Sequence, residues 1–114
     1  MRIEHNGTLL RIYVSESTRR RGRNVATSIV EALAAAGIAG AIAFKGIEGF
    51  GRRGVLSSTR AVDAWMDLPI LIEVIDEEEK IQAFLPALET ILDEGLVTLE
   101  RIQTLLLRAR HAAP

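Results

Sequence analysis

Leu68-Pro69-Ile70-Leu71-Ile72-Glu73-Val74-Ile75 is the strongest strand signal in the chain. Aliphatic and β-branched residues fill it, and proline stands at its start, where a missing N–H is tolerated. Asp76 followed by Glu79 then forms a capping-box pattern, and Glu77, Glu78 and Glu79 put negative charge on a first helical turn. Ile81, Phe84, Leu85, Leu88, Ile91 and Leu92 trace one helical face as far as Gly95. Pro86 lies inside this helix and is expected to kink it.

Toward the N-terminus, Ile38 to Ile47 is apolar and glycine-containing and predicts a buried second strand. Ahead of it, Val25, Ala26, Ile29, Val30, Leu33 and Ala36 recur at helical spacing, and Gly37 stands where a C-terminal cap belongs. That spacing predicts a helix over about 24–36. Leu9, Leu10, Ile12 and Val14, with Tyr13, make a first strand, and the polar, basic stretch from Ser15 to Gly22 reads as a loop. Toward the C-terminus, Leu96, Val97, Leu99 and Ile102 suggest a last strand, although Glu100 to Arg110 also suits a helix. Thr59 to Asp67 fits either a strand extension or a short helical turn, and the tail from Ala109 to Pro114 is expected to fray.

Strand, helix, strand, strand, helix, strand is the order of an α+β, ferredoxin-like βαββαβ sandwich, an antiparallel sheet with both helices on one face. The uncovered face of Leu, Ile and Val needs a partner surface, which favours association of copies over a monomer.

At 114 residues the chain is expected to form one domain over 1–114. A hydrophobic content of 48% argues against disorder. A formal net charge of −1 gives the whole molecule no pull on nucleic acid or membrane, and one Trp, one Tyr and three Phe leave few stacking platforms. The lack of cysteine excludes disulfides, thiol catalysis and cysteine-ligated metal. Residues 1–8 lack the apolar core of a secretory signal, and runs such as Ile38 to Phe44 fall short of a membrane span. A soluble, cytoplasmic protein without membrane insertion is the expectation.

Lys45-Gly46-Ile47-Glu48-Gly49-Phe50-Gly51-Arg52-Arg53-Gly54 ends the second strand with four glycines and two adjacent arginines. Glycine lets the backbone approach a ligand and offer its N–H groups to an anion, while arginine adds a fixed charge and a fork of donors. The alternative is a solvated loop in which glycine serves turn geometry alone. Arg19-Arg20-Arg21-Gly22-Arg23 is a second basic run, read either as a solvated loop or as a contact for phosphate, RNA or an acidic partner. Glu73 points away from Ile72 and Val74, so it needs a partner if its face is covered. Trp65 suits packing better than a ligand platform. Enzyme readings find little: His5 and His111 lie in terminal segments, and Ser57, Ser58 and Thr59 have no base placed near them in sequence. The Asp76–Glu79 cluster is explained by helix capping.

Gly49-Phe50-Gly51-Arg52-Arg53 leaving one strand, with Leu68-Pro69 and Ile72-Glu73-Val74 opening the next, resembles the PII signal-transduction family. Over about residues 8–103 the chain looks closest to the PII-like proteins grouped as a bacterial and archaeal domain of unknown function. The resemblance implies a ferredoxin-like homotrimer that performs no chemistry and requires no cofactor. It implies a small anionic metabolite, an adenine nucleotide among the candidates, in clefts between subunits at the base of a loop over about 51–67. Gly49 and Gly51 would bring backbone to the phosphates, Gly46 and Phe50 would belong to the same ligand site, Arg52 and Arg53 would lead into the loop, and Glu73 would stand beside the base. Arg101, Arg108 and Arg110 are further phosphate candidates. The loop would then signal to a protein target such as a transporter or enzyme. PII proteins themselves carry glutamine at the place of Arg53, and a lysine with more glycine where this chain reads Asp93-Glu94-Gly95-Leu96-Val97-Thr98. The loop also lacks their modifiable tyrosine, since Tyr13 is the only one. The alternatives are a metal-linked trimer of the CutA kind and a small hydrolase on the same fold.

Overall fold

The computed structural model describes residues 1–50, 56–58 and 68–109. The predicted segment 59–67, most of the predicted loop over 51–67, Trp65, Arg110 and His111 lie outside these residues.

The elements in chain order are β1 (Arg2–Ser15), β2 (Arg19–Arg20), β3 (Arg23–Asn24), α1 (Val25–Ala35), β4 (Gly40–Lys45), β5 (Glu48–Phe50), β6 (Leu56–Ser58), β7 (Pro69–Asp76), α2 (Glu78–Ile91) and β8 (Leu96–Leu107). β4, β7, β1 and β8 form one antiparallel sheet in that spatial order, the ferredoxin-like arrangement the sequence predicts. β1 is central, and its Leu10 faces Val74 of β7 on one side and Leu99 of β8 on the other.

Period two sends Leu10, Ile12, Ile72 and Val74 to the helical side of the sheet, where none is exposed to solvent. Val25, Ile29 and Leu33 of α1 and Ile81, Phe84 and Leu88 of α2 close the core over them. Each such side chain contributes roughly 1.5–3 kcal/mol by leaving water. On the opposite side, Tyr13, Ile42, Phe44, Ile75 and Leu96 remain exposed, so both helices do lie on one face. Among the described residues, no helix is long and apolar enough to cross a membrane.

The ends of α1 follow the sequence. The Asn24 side chain accepts a hydrogen bond from the Thr27 N–H, and Gly37 takes φ 73°. Ile38 N–H bonds to Leu33 O and Gly37 N–H to Ala34 O, the paired bonds of a Schellman cap.

Several boundaries differ from expectation. The capping box at α2 does not form: Glu77 is the N-cap and makes no side-chain cap bond. Asp76 instead accepts the Ala39 and Glu77 N–H groups, which ties the end of β7 to the approach of β4. The polar stretch after β1 contains the β2–β3 hairpin, its two-residue turn made by Arg21 at φ 51° and Gly22 at φ 78°. Two positive φ values match the twist of the strands in such a turn, and glycine accepts the second without strain. The last strand continues to Leu107 with no helix, and β1 begins at Arg2, so the two pair from Arg2–Leu107 to Tyr13–Leu96. α2 runs through Pro86 within its span, and Thr90 Oγ1 donates to Pro86 O.

Replacing fully buried Ile72 by alanine is expected to lower unfolding stability by about 2–5 kcal/mol, a cavity in the middle of the sheet. Urea denaturation of Ile72→Ala beside the unaltered chain measures this; a difference within about 0.5 kcal/mol, the level of a neutral surface change, would contradict the packing described.

Candidate functional site

The end of the sheet where β4 stops and β7 starts gathers most of the singled-out residues. Gly46 N–H donates to Pro69 O at 2.7 Å, which locks the exit of β4 onto the start of β7. A Cβ at Gly46 would sit 2.6 Å from Pro69 Cγ, and one at Gly49 would sit 3.3 Å from the same atom. Close packing on the Pro69 ring therefore requires glycine at 46, and at 49 it leaves a Cβ only a tight fit. Lys45 Nζ pairs with Glu16 Oε1 at 2.7 Å, and Glu16 N–H bonds to Leu68 O, so the end of β1 joins the same corner. β5 and β6 form a short hairpin leaving it, pairing Glu48 with Ser58 and Phe50 with Leu56. Gly51, Arg52 and Arg53 lie outside the described residues.

The arginine hairpin meets this same end, a placement the linear sequence did not disclose. Arg20 reaches Asp93 at 2.7 Å, and Arg23 reaches Glu31 at 2.9 Å. Arg19 donates to Glu16 O, and Arg21 stands in the turn. The signal was the basic run itself; its neighbours appear only once β1, β7 and β8 are aligned. The Asp93 carboxylate of the α2–β8 junction is thus offset by Arg20 and does not face the loop base as a free charge. The ion pair is largely exposed on the Asp93 side and stabilises little by itself.

Glu73 finds its partner in the middle of the helix-free face. Arg11 Nε donates to Glu73 Oε2 at 3.0 Å, and Arg11 Nη1 reaches Glu100 Oε2 at 3.3 Å. The Glu73 hydrogen bond is the main cause that holds the Arg11 guanidinium above its ordinary value; burial opposes it, and the charges of Glu73, Glu100 and Tyr13 add to it. Arg11 is a fixed cation bridging two strands.

Arg101 is separated from the loop base. It faces Thr8, which faces Asp76 at the far end of β7 from Pro69. Seven strand steps of about 3.3 Å separate Pro69 from Asp76, so roughly 23 Å of sheet lies between the two ends. Within one protomer, the structure brings Gly46, Gly49 and the backbone of Phe50 together, puts Glu73 on the open face, and sets Arg101 apart. Among the described residues, no group of three or more His, Asp or Glu side chains is arranged to hold a metal ion.

A ferredoxin-like sheet with one open face is also the fold of solved PII-like proteins. CPII from Thiomonas intermedia K12, a nitrogen regulatory PII-like protein bound to ADP, AMP and bicarbonate, superposes with a TM-score of 0.68 at 18% identity, covering 90% of this chain and 91% of that one. A candidate PII-like signaling protein from Thermus thermophilus gives 0.59 at 22% identity, covering 91% and 92%. Residues 7–104 match the DUF190 family, described as Uncharacterized ACR, and the chain belongs to that family. Its relatives include a UPF0166 protein of Aquifex aeolicus, 33% identical over 87% of this chain and 93% of its own. Another, from Methanocaldococcus jannaschii, is 38% identical over 78% of this chain and 82% of its own.

Gly46→Ala is expected to break the contact with Pro69, because Cβ at 2.6 Å from ring carbon forces one backbone away. A loss of about 1–3 kcal/mol follows from such overpacking. Thermal unfolding of Gly46→Ala checks it, and an unchanged Tm would mean that β4 and β7 are not joined here as described.

Proposed function

We propose that this chain is the subunit of a homotrimeric PII-like regulator that binds a small anionic metabolite, first of all an adenine nucleotide, and performs no chemistry. The observation that carries this reading is the convergence of the glycine-rich exit of β4 with the arginine hairpin at one end of a PII-like sheet. Backbone held close by Pro69 and a permanent charge on four nearby arginines suit phosphate oxygens. That the similar fold of CPII is bound to ADP, AMP and bicarbonate supports the choice of ligand.

The open face supports the assembly. Tyr13, Ile42, Phe44, Ile75 and Leu96 surround the Arg11–Glu73–Glu100 cluster with apolar surface that water solvates poorly. Covering it with further copies places the loop base at a boundary between subunits. Gly46, whose own N–H is taken by Pro69 O, sets the exit of β4, and Gly49, Phe50 and Gly51 then line the anion site through their backbone, with Arg52 and Arg53 supplying charge and Glu73 close to the subunit boundary. Arg101, at the other end of the sheet, belongs to this site only if a neighbouring copy brings it. Ligand binding shifts the loop between two conformations, and the loop carries the signal to a protein target by differential affinity. The cytoplasm is the compartment where such a nucleotide signal is available.

The test combines size and ligand response. Multi-angle light scattering is expected to give three times the mass of one chain. ADP or AMP at about 100 times Kd is expected to stabilise the folded protein by about 2.7 kcal/mol, read as a rise in Tm. The Arg52→Ala/Arg53→Ala double variant is expected to lose that rise and keep its mass. A monomeric mass, or no rise with any adenine nucleotide, would overturn the assembly or the ligand respectively.

A further inference from the structure

At the end of the sheet away from the loop, β1 and β8 pair on toward the chain termini, from Thr8–Arg101 to Arg2–Leu107. An open corner of about 480 Å³ lies between these strands and the first turn of α2, within the roughly 300–1,000 Å³ of small-molecule sites. Asn6, Thr8, Glu78, Arg101 and Gln103 line it.

Three features of this corner find no use within the protomer. Thr8 is the one buried polar residue among those described, at 5% exposure. Its hydroxyl has no hydrogen-bond partner among them and keeps contact with the corner. Arg101 and Glu78 both line the corner, yet they form no ion pair with each other or with another described residue. The first turn of α2 has no side-chain cap, so its N–H groups point out unmatched by a side-chain acceptor. Two exposed opposite charges face one open corner without meeting, and the Thr8 hydroxyl opens onto the same space.

The charges decide what fits. A dianion would meet Glu78, with Glu77 and Glu79 beside it, and a simple cation would meet Arg101. A molecule carrying both signs a few bonds apart satisfies both walls. We propose that this corner binds a free α-amino acid: its carboxylate on the Arg101 guanidinium and the Thr8 hydroxyl, its ammonium on the Glu78 carboxylate. The Asn6 and Gln103 amides are left to hold its side chain, both able to donate and accept. The site goes beyond the anion reading and stands at the opposite end of the sheet from it.

Titration calorimetry of the full chain with each of the common amino acids, and with the N-acetyl and amide forms of any that bind, tests this. At least one amino acid is expected to bind saturably. Arg101→Ala, Glu78→Gln, N-acetylation and amidation are each expected to weaken it by about tenfold or more, the loss of one charge-assisted hydrogen bond. Thr8→Val is expected to weaken binding without lowering Tm, since it removes a hydroxyl that has no protein partner. The response to ADP and AMP stays unchanged in Glu78→Gln and Thr8→Val, which separates failure here from failure at the loop base. The proposal is overturned if no amino acid saturates by about 10 mM, a free energy under about 3 kcal/mol. It is equally overturned if the acetylated and amidated forms bind as well as the parent, or if both charge variants bind as the unaltered chain does.

Discussion

A four-stranded sheet covered on one side only is the constraint from which the remaining features follow. Both helices must share a face, because each crossover returns over the same side of an antiparallel sheet in the order β4, β7, β1, β8. The core is complete on that side, with Leu10, Ile12, Ile72 and Val74 wholly enclosed. The other side has the composition of an interior and the exposure of a surface. Its charged centre sets terms for whatever covers it. Arg11 meets two carboxylates, so the cluster holds one negative charge in excess. A purely apolar cover would leave that excess charge desolvated at a cost of several kcal/mol, so a covering surface has to bring a donor.

The sheet also has two chemically different ends. At one, Pro69 pins the glycine-rich exit of β4, and Lys45, Glu16, Arg20 and Asp93 link four segments by ion pairs. At the other, the paired strands β1 and β8 carry Arg101 and Thr8 beside the start of α2. Because β1 spans both, it fixes the distance between them. The two proposed ligand sites are therefore separate in geometry within the protomer, and any coupling between them has to pass through β1 or through a second copy.

Much of this was legible in the residues, and what was hidden was long-range. The α1 boundaries were readable because Asn24 and Gly37 act on atoms within five residues of themselves. The strand at 69–76 was readable from β-branched density and the leading proline. Asp76 misled because a capping box and a tie to the distant Ala39 N–H look the same in sequence. The early part of β1, with His5, Asn6 and Gly7, carries little strand propensity and is a strand because β8 pairs with it. At the site, the glycine run and the arginine run were each conspicuous, yet nothing local said that they share one end of the sheet. The Glu73 partner was foreseen as a requirement, and Arg11 was identified only by the register of β1 against β7.

The glycines carry less functional weight than their number suggests. Gly46 is already obligatory because Pro69 occupies the space of its Cβ, and Gly49 is tightly packed on the same ring, so packing alone gives both a reason without a ligand. Arginine has no comparable packing reason at the hairpin. Arg21 accepts a φ of 51°, a conformation that L-residues with a Cβ adopt at a cost, where glycine or asparagine would serve the turn better. Four arginines within five positions, in a chain whose overall charge is near neutral, also repel one another and use Asp93 and Glu31 to offset part of that repulsion. A cluster that carries both costs calls for a reason outside folding, and the anion site proposed at the adjacent loop exit would give it one. The anion reading therefore rests on the arginines, with the glycines setting only how closely an anion approaches.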